Sequence, residues 1–281
     1  MTQFDFQLDG KTAVITGGGG ALCGVFARGL AKHGVKVALL DIRPEGAEAV
    51  AEKIRATGGA AKAYACDVLS KESVEQAYAK VKEDLGACDF LINGAGAHHP
   101  LATTGHTQLT KEHMEDGTRS FFDLDLEKVE WVSRLDFMGT FIPTQIIAKD
   151  MVGREGCSII NMSSAAAISP MTLIPVYAAA KAAVTNFTQW LANYFAPTGI
   201  RVNAIAPGFF VTNLNRHMMY DENGMPTERC RNVIANTPMK RCGDPEECLG
   251  TLLYLLCPEL SSFVTGALLT IDGGFDIFCG V

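Results

Sequence analysis

The chain has 281 residues, of which 48% are hydrophobic and 20% are charged. This hydrophobic content is enough to form a large core, and it excludes disorder for most of the chain. The formal net charge of −7 argues against a nucleic-acid-binding protein, because such proteins present a basic surface to phosphate groups.

Seven short apolar runs predict buried parallel strands, because they are continuous rather than alternating. They cover residues 11–16, 36–41, 61–66, 89–94, 157–162, 200–205 and 267–272. Segments with helical periodicity lie between them, at 21–33, 70–85, 173–196 and 244–257. This alternation predicts an α/β fold, an open parallel sheet with helices on both faces. No linker interrupts it, so residues 1–281 are expected to form a single domain.

Features of the whole chain predict the cellular compartment of the protein. The first eleven residues contain two aspartates and no apolar segment, so no secretory signal is expected. No apolar run approaches the roughly 18 residues that a transmembrane helix needs. The nine cysteines form no Cys-x-x-Cys pair, which favours free, buried thiols in a reducing compartment. We therefore expect a cytoplasmic protein without membrane or nucleic-acid partners.

A glycine-rich turn, from Thr16 to Gly24, joins the first predicted strand to the first predicted helix. The N-terminus of a helix offers unpaired N–H groups and the positive end of a dipole, which suit a pyrophosphate. A plain strand-to-helix turn would also use glycine, and that alternative stays open. The residues predicted to bind the nucleotide here are Gly17, Gly19, Gly20, Ala21 and Leu22.

The ends of the next three strands extend this predicted nucleotide site. Asp41 ends the second strand, where a carboxylate can accept hydrogen bonds from the adenosine ribose and disfavours a 2′-phosphate. This position predicts NAD rather than NADP, unless Asp41 instead caps a helix that begins near Pro44. The other predicted contacts are Ile42 beside Asp41, Asp67 and Val68 for the adenine, and Asn93, Ala95 and Gly96 after the fourth strand.

Tyr177 and Lys181 are four residues apart, so on a helix they share one face. An ammonium beside a phenol favours the phenolate, which makes the tyrosine a usable proton donor and acceptor. Ser164 follows the strand 157–162, where its hydroxyl could hydrogen-bond a substrate carbonyl. A Tyr-x-x-x-Lys pair alone is common on solvated helices.

In combination these motifs resemble the short-chain dehydrogenase/reductase family over essentially the whole chain. The motifs are the turn after Thr16, Asp67-Val68, Asn93-Gly94-Ala95-Gly96, Ser164, Tyr177-x-x-x-Lys181, Asn203-x-x-x-Pro207-Gly208 and Asp272-Gly273-Gly274. The resemblance implies a single Rossmann-type, doubly wound domain whose seven-stranded parallel sheet has the order 3-2-1-4-5-6-7. It also implies a homotetramer built on helices near 126–150 and 173–196.

The resemblance assigns roles to individual residues. Tyr177 is expected to be the catalytic acid and base, and Lys181 to hold the nicotinamide ribose and favour the phenolate. Ser164 is expected to orient the substrate. The segment from Pro207 through Gly208 to Thr212 is expected to contact the nicotinamide carboxamide.

The chain departs from the family pattern in two places. Ala21 and Cys23 stand where the family has the second and third glycines of the turn, and Gly24 is displaced by one position. Asp136 stands where many members carry an asparagine that orders a proton-relay water. An ionised aspartate accepts hydrogen bonds but cannot donate as an amide does, so Asp136 is a candidate catalytic residue whose role in the relay stays open.

Two long polar segments, 97–125 and 208–240, follow strand ends and are predicted to be walls or lids of the substrate site, or else loose insertions. Within the family the chain is most similar to the D-mannonate oxidoreductase (fructuronate reductase) branch, which implies a small sugar acid as substrate. The residues expected to contact it are Ser164, His99, Asn215 and Arg216, with Arg216 expected to bind the carboxylate.

Three alternatives remain at this point. Another sugar-acid or polyol ketoreductase of the family, such as a gluconate 5-dehydrogenase, would share the motifs, and so would a 3-oxoacyl reductase, although the latter has a shorter segment after Gly96. A non-catalytic NAD-binding protein is disfavoured by the intact Ser164, Tyr177 and Lys181. No metal site is predicted, because the histidines show no metal-binding spacing with Cys or Asp.

Overall fold

The computed structural model describes residues 5–212 and 215–280, so positions 213 and 214 of the predicted wall 208–240 lie outside it. Seven strands form one parallel sheet in the order β3-β2-β1-β4-β5-β6-β7, which confirms the predicted order. The strands are β1 (Thr12–Thr16), β2 (Lys36–Asp41), β3 (Ala61–Ala65), β4 (Phe90–Asn93), β5 (Ser158–Met162), β6 (Arg201–Pro207) and β7 (Leu268–Ile271).

Helices cover both faces of the sheet. Within the described residues they are α1 (Ala21–Ala31), α2 (Pro44–Arg55), α3 (Lys71–Asp84), α4 (Leu126–Ile147), α5 (Pro175–Phe195), α6 (Arg216–Met219), α7 (Glu228–Ala235), α8 (Leu249–Leu256) and α9 (Pro258–Ser261). Helix α2 was not among the helical segments predicted from periodicity. Its buried residues are Ala47, Val50, Ala51 and Ile54, and their spacing is that of one face of a helix.

The continuous apolar runs form buried strands because successive residues of a strand point to opposite faces of the sheet. Ala13 and Ile15 join the core on one face, together with α1 and α2. Val14 joins the core on the other face, together with α3 and α5. Every residue of β1, β4, β5 and β6 is buried, whereas the edge strand β7 is only partly covered.

The two long polar segments follow β4 and β6, as predicted, but they contain more regular structure than the sequence suggested. Segment 97–125 contains three 3₁₀ turns, at Pro100–Ala102, Glu112–Met114 and Phe121–Asp123. Segment 208–240 contains α6 and α7, which bury Met219, Cys230 and Val233 in a small core of their own.

All nine cysteines are free, and seven of them are buried, which confirms the expectation of unpaired thiols. Across residues 5–212 and 215–280, no helix is both long and apolar enough to cross a bilayer.

Candidate active site

The site lies at the edge of the sheet where parallel strands end, because β1, β4, β5 and β6 are neighbours and all point the same way. Thr16 lies at the end of β1 and connects two segments at this edge by hydrogen bonds. Its hydroxyl oxygen accepts hydrogen bonds from the backbone N–H groups of Gly94 and Ala95, at 3.1 and 3.3 Å. The glycine-rich turn and the segment after β4 are therefore held side by side.

Asp41 is bound to the glycine-rich turn. One carboxylate oxygen accepts the Gly19 N–H at 3.0 Å, and the other accepts the Arg43 N–H at 2.9 Å. Residue Arg43, not Asp41, is the N-cap of α2, so the alternative interpretation of Asp41 as a helix cap is wrong. The half-buried carboxylate stands beside the first turn of α1, whose leading N–H groups have no partners within the helix.

Cys23 explains how the turn departs from the family pattern. The side chain is 4% exposed, and its thiol points to the Thr16 carbonyl oxygen at 3.6 Å. A side chain at position 94 would overlap the Cys23 sulfur, so Gly94 provides the space for it. Burial raises the pKa of Cys23 to about 12. The thiol is therefore neutral and belongs to the core under the turn, not to the surface that would face a nucleotide.

Among the other predicted nucleotide contacts, some side chains already interact within the protein and others are free to contact a ligand. Ile42 is 68% exposed next to Asp41. Asp67 accepts the Leu69 N–H at 2.9 Å, and Val68 is buried against Gly139 of α4. Asn93 donates to Thr144 and Asn161 at 2.9 and 2.8 Å. Its amide nitrogen therefore holds β4 to its neighbours, whereas its buried Oδ1 has no hydrogen-bond partner among the described residues.

Tyr177 and Lys181 lie on one face of α5, as predicted. Pro175 starts the helix, so Tyr177 sits in its first turn, close to the carboxyl edge of the sheet. The Lys181 ammonium lies 5.5 Å from the centroid of the Tyr177 ring. Ser164, which is buried, follows β5 and begins the 3₁₀ turn Ala165–Ala167 that packs against α5. Its hydroxyl oxygen accepts the Ala166 N–H at 3.1 Å.

Asp136 of α4 forms a buried ion pair with Lys181, with 3.1 Å between the carboxylate oxygen and the ammonium nitrogen. The two side chains are 0% and 5% exposed. Lys181 also donates to the Met162 carbonyl oxygen at 3.0 Å. A side chain at position 96 would overlap the Asp136 carboxylate, and glycine at that position lets the chain pass.

The electrostatics of this pair follow from burial and mutual attraction. Burial alone would lower the pKa of Lys181, but the negative charges of Asp136 and a Tyr177 phenolate outweigh it and raise that pKa. Lys181 is therefore a permanent ammonium. Burial raises the pKa of Asp136, although the charge of Lys181 opposes the shift.

The wall formed by residues 208–240 encloses a cavity of about 210 Å³, bordered by Leu22 of the glycine-rich turn. The predicted residues Gly208, Thr212 and Asn215 line it. The Asn215 side chain accepts the Thr212 N–H at 2.7 Å and donates to the Phe210 carbonyl oxygen at 2.8 Å. Asn215 thus shapes this loop through its own hydrogen bonds.

Two arginines differ in their relation to that cavity. Arg216 is exposed, and its guanidinium carbon lies 5.2 Å from the centroid of the Tyr220 ring. Arg229 of α7 was not predicted as a site residue, yet it lines the cavity together with Gly208 and Thr212. Nothing in the sequence around Arg229 distinguishes it from an ordinary exposed helix residue.

Neighbouring histidines also take different roles. His99 caps the 3₁₀ turn Pro100–Ala102, since its Nδ1 accepts the Leu101 N–H at 3.1 Å, and its ring packs edge-on against Trp131. His98, which was not predicted, lies in the field of both Arg229 and Asp136. Partial desolvation, together with the charge of Arg229, lowers the pKa of His98, although its side chain is exposed to solvent.

Comparisons with known proteins agree with this geometry. The short chain dehydrogenase family model matches residues 11–223. An uncharacterized oxidoreductase of Bacillus subtilis, UxuB, is 48% identical over 275 residues, and the match covers 98% of each chain. The 5-keto-D-gluconate 5-reductase of Escherichia coli is 31% identical over 271 residues, with 96% of each chain covered. A crystal structure from Haemophilus influenzae, provisionally named a D-mannonate oxidoreductase and containing bound NAD, has a TM-score of 0.94 at 47% identity, with 98% of each chain covered.

Proposed function

The chain belongs to the short-chain dehydrogenase family of oxidoreductases, and on that premise we propose that it interconverts D-mannonate and D-fructuronate with NAD as its cofactor. The observation that carries the chemistry is the buried Lys181 ammonium 5.5 Å from the Tyr177 ring, at the carboxyl edge of the sheet. The likeness to the Haemophilus influenzae protein supports the choice of substrate. The direct test is NADH oxidation in the presence of D-fructuronate.

The residues at the glycine-rich turn fit a dinucleotide. The first-turn N–H groups of α1 suit a pyrophosphate, and Asp41, fixed by the Gly19 N–H at 3.0 Å, suits the two ribose hydroxyls. Ala21, Leu22, Asp67, Val68, Ala95 and Gly96 stand around the same edge, as predicted nucleotide contacts. When bound, NAD supplies or accepts the hydride, and the protein positions the reactants and moves the proton.

The proton chemistry is assigned to three side chains. In the reducing direction Tyr177 donates a proton to the oxygen of the substrate ketone, and in the oxidising direction it accepts that proton back. Lys181 stabilises the phenolate that forms in between, and its ammonium is expected to donate to a ribose hydroxyl as well. Ser164, held at the end of β5, orients the ketone or alcohol oxygen by a hydrogen bond.

Asp41 should decide the choice between the two nicotinamide cofactors. Wild-type protein should bind NADH more tightly than NADPH, because a 2′-phosphate would meet the Asp41 carboxylate. Asp41→Ala should weaken NADH binding by about 10- to 150-fold, the equivalent of ~1.5–3 kcal/mol for hydrogen bonds to a charged group. NADPH binding should weaken less, so the ratio between the affinities for NADH and NADPH should become smaller. Isothermal titration measures both affinities, and tighter binding of NADPH by the wild-type protein would contradict the prediction.

The substrate carboxylate should be bound by an arginine of the wall 208–240. Arg216 was predicted for this role, but Arg229 lines the cavity and is the stronger candidate. Arg229→Ala should lower kcat/KM for D-fructuronate by about 10- to 150-fold, since a hydrogen bond to a charged group contributes ~1.5–3 kcal/mol.

Arg216→Ala is the matched control in the same wall, and a neutral ketose without the carboxylate is the control substrate. The ketose should respond to neither change, because it never makes the contact. Equal losses for acid and ketose would show that Arg229 shapes the wall instead of binding the charge. If Arg216→Ala instead lowered kcat/KM more than Arg229→Ala did, and only for the acid substrate, Arg216 would be the residue that binds the carboxylate.

We also propose the homotetramer that the family resemblance implies, with α5 in its interface. Trp190 and Tyr194 on this helix are 55% and 63% exposed, and their rings stack with 4.8 Å between centroids. Phe187 continues the same stack one turn earlier. Large aromatic side chains exposed side by side are typical of a protein–protein contact surface.

A further inference from the structure

Two histidines and an aspartate converge in segment 97–125. The imidazoles of His106 and His113 stack with 3.8 Å between ring centroids. His106 Nε2 lies 2.7 Å from a carboxylate oxygen of Asp116. One potential ligand atom from each of the three residues lies within 4.8 Å of the other two. Sequence spacing did not predict this cluster, because it depends on the turn at Glu112–Met114 and not on a regular helix.

Backbone groups already orient two of the three side chains. The Nδ1 atom of His113 accepts the Thr110 N–H at 3.2 Å and lies 3.2 Å from the Gln108 carbonyl oxygen. When Nε2 binds an ion, Nδ1 carries the hydrogen and donates it to Gln108 in place of the contact with Thr110. Asp116 accepts the Thr118 N–H at 2.8 Å with one oxygen, which leaves the other oxygen beside His106. Such outer hydrogen bonds are what fix the tautomer and direction of metal ligands.

The cluster borders a second cavity and a connection to the active site. Gly105 and Thr118, which flank His106 and Asp116, line a cavity of about 620 Å³ that Thr104 and Arg119 also border. The Thr104 N–H donates to the Leu173 carbonyl oxygen at 2.9 Å, shortly before the helix that carries Tyr177. The three side chains therefore sit in a segment that already contacts the chain just before the catalytic helix, and an ion bound to them would crosslink that segment internally.

We propose that His106, His113 and Asp116 bind a divalent transition-metal ion of the zinc class. Two imidazoles and one carboxylate suit Zn²⁺ and Co²⁺, whereas Mg²⁺ and Ca²⁺ prefer oxygen ligands alone. Because a metal ion lies in the plane of each imidazole that binds it, one of the two stacked rings must rotate before the ligand atoms reach the ~2.0–2.2 Å that zinc requires. The ion replaces the proton shared by His106 and Asp116 and keeps at least one position for water or for a ligand in the cavity. Its role is to crosslink the 97–125 wall, and the proposal does not depend on the identity of the substrate.

The test is binding of the metal ion alone. Visible absorption monitors the binding of Co²⁺, and titration calorimetry measures the binding of Zn²⁺. Chelator-treated protein with the Cys279→Ser change should be used throughout, because the exposed Cys279 thiol could bind these ions itself. We expect one Co²⁺ per chain, displaced by Zn²⁺, together with a rise in Tm on metal addition. His106→Gln and His113→Gln should each weaken binding at least ~10-fold. Asp116→Asn should do the same, since it removes the negative ligand.

His217→Gln is the control, because His217 is exposed on α6 and outside the cluster. It should bind Co²⁺ as tightly as the parent protein. All variants should have the parent's Tm in metal-free buffer, which shows that they are folded. Unchanged Co²⁺ stoichiometry and affinity in His106→Gln and His113→Gln, or no Co²⁺ spectrum in the parent protein, would overturn the proposal.

Discussion

Replacing Tyr177 with phenylalanine should lower kcat for ketone reduction by about 10²- to 10⁴-fold, which is the usual contribution of a positioned acid or base. The phenyl ring keeps the packing of the first turn of α5 and the contact with the Lys181 ammonium, which lies 5.5 Å from the ring centroid. Only the hydroxyl group, with its exchangeable proton, is lost. NADH affinity should therefore stay close to that of the wild-type protein.

Tyr194→Phe is the matched control for this change, since Tyr194 lies on the same helix and is 63% exposed. It removes a phenol without touching the site, and its kcat should equal that of the wild-type protein. Steady-state rates and NADH titrations on both variants check the prediction. If Tyr177→Phe kept more than about half of the wild-type rate, Tyr177 would not be the catalytic acid.

Replacing Asp136 with asparagine should change both the stability and the pH dependence of the enzyme. The Lys181 ammonium would remain buried without its countercharge, and breaking a buried ion pair in this way costs about 3–5 kcal/mol of unfolding free energy. The change also removes a carboxyl group whose pKa burial raises. Because that ionisation then no longer contributes to the acidic limb of the pH–rate profile, the limb should shift to lower pH.

Asp150→Asn is the control for the stability effect, because Asp150 and Lys82 form an ion pair of similar length, 2.9 Å, in which the side chains are 35% and 45% exposed. Loss of that pair should change the unfolding free energy by less than about 1 kcal/mol. Denaturant unfolding and pH–rate profiles on both variants separate two roles. A loss of stability without a pH shift would make Asp136 a structural anchor only, and an unchanged stability and profile would contradict the ion pair itself.

The strands were the most predictable part of the fold. Their continuous apolar runs follow directly from burial of the sheet on both faces, and the boundaries differ from the prediction by two residues or fewer. Helix α2 was missed although its buried residues Ala47, Val50, Ala51 and Ile54 follow helical spacing. Helices α6 and α7 were missed because they pack on each other around Met219 and Cys230, a local contact that periodicity over longer windows does not register.

The candidate site was predictable where one local motif contains its members. Tyr177 and Lys181 lie four residues apart on one helix, and the glycine-rich turn is contiguous. The contact between Asp136 and Lys181 requires α4 to pack against α5, so the sequence could mark Asp136 as unusual but could not pair it. Arg229 and His98 depend on how the two walls fold over the sheet, and neither stands in a motif of its own.

Turnover of D-fructuronate tests the account most directly. NADH oxidation should be measured with D-fructuronate, with 5-keto-D-gluconate, with a neutral ketose and with a 3-oxoacyl substrate, and NAD reduction with D-mannonate, each alongside Tyr177→Phe as the blank. The account predicts the highest kcat/KM for D-fructuronate, turnover in both directions, and loss of both activities in the blank. Efficient turnover of another ketone with none of D-fructuronate or D-mannonate would contradict the substrate assignment. Absence of turnover with every substrate would contradict the enzymatic function itself.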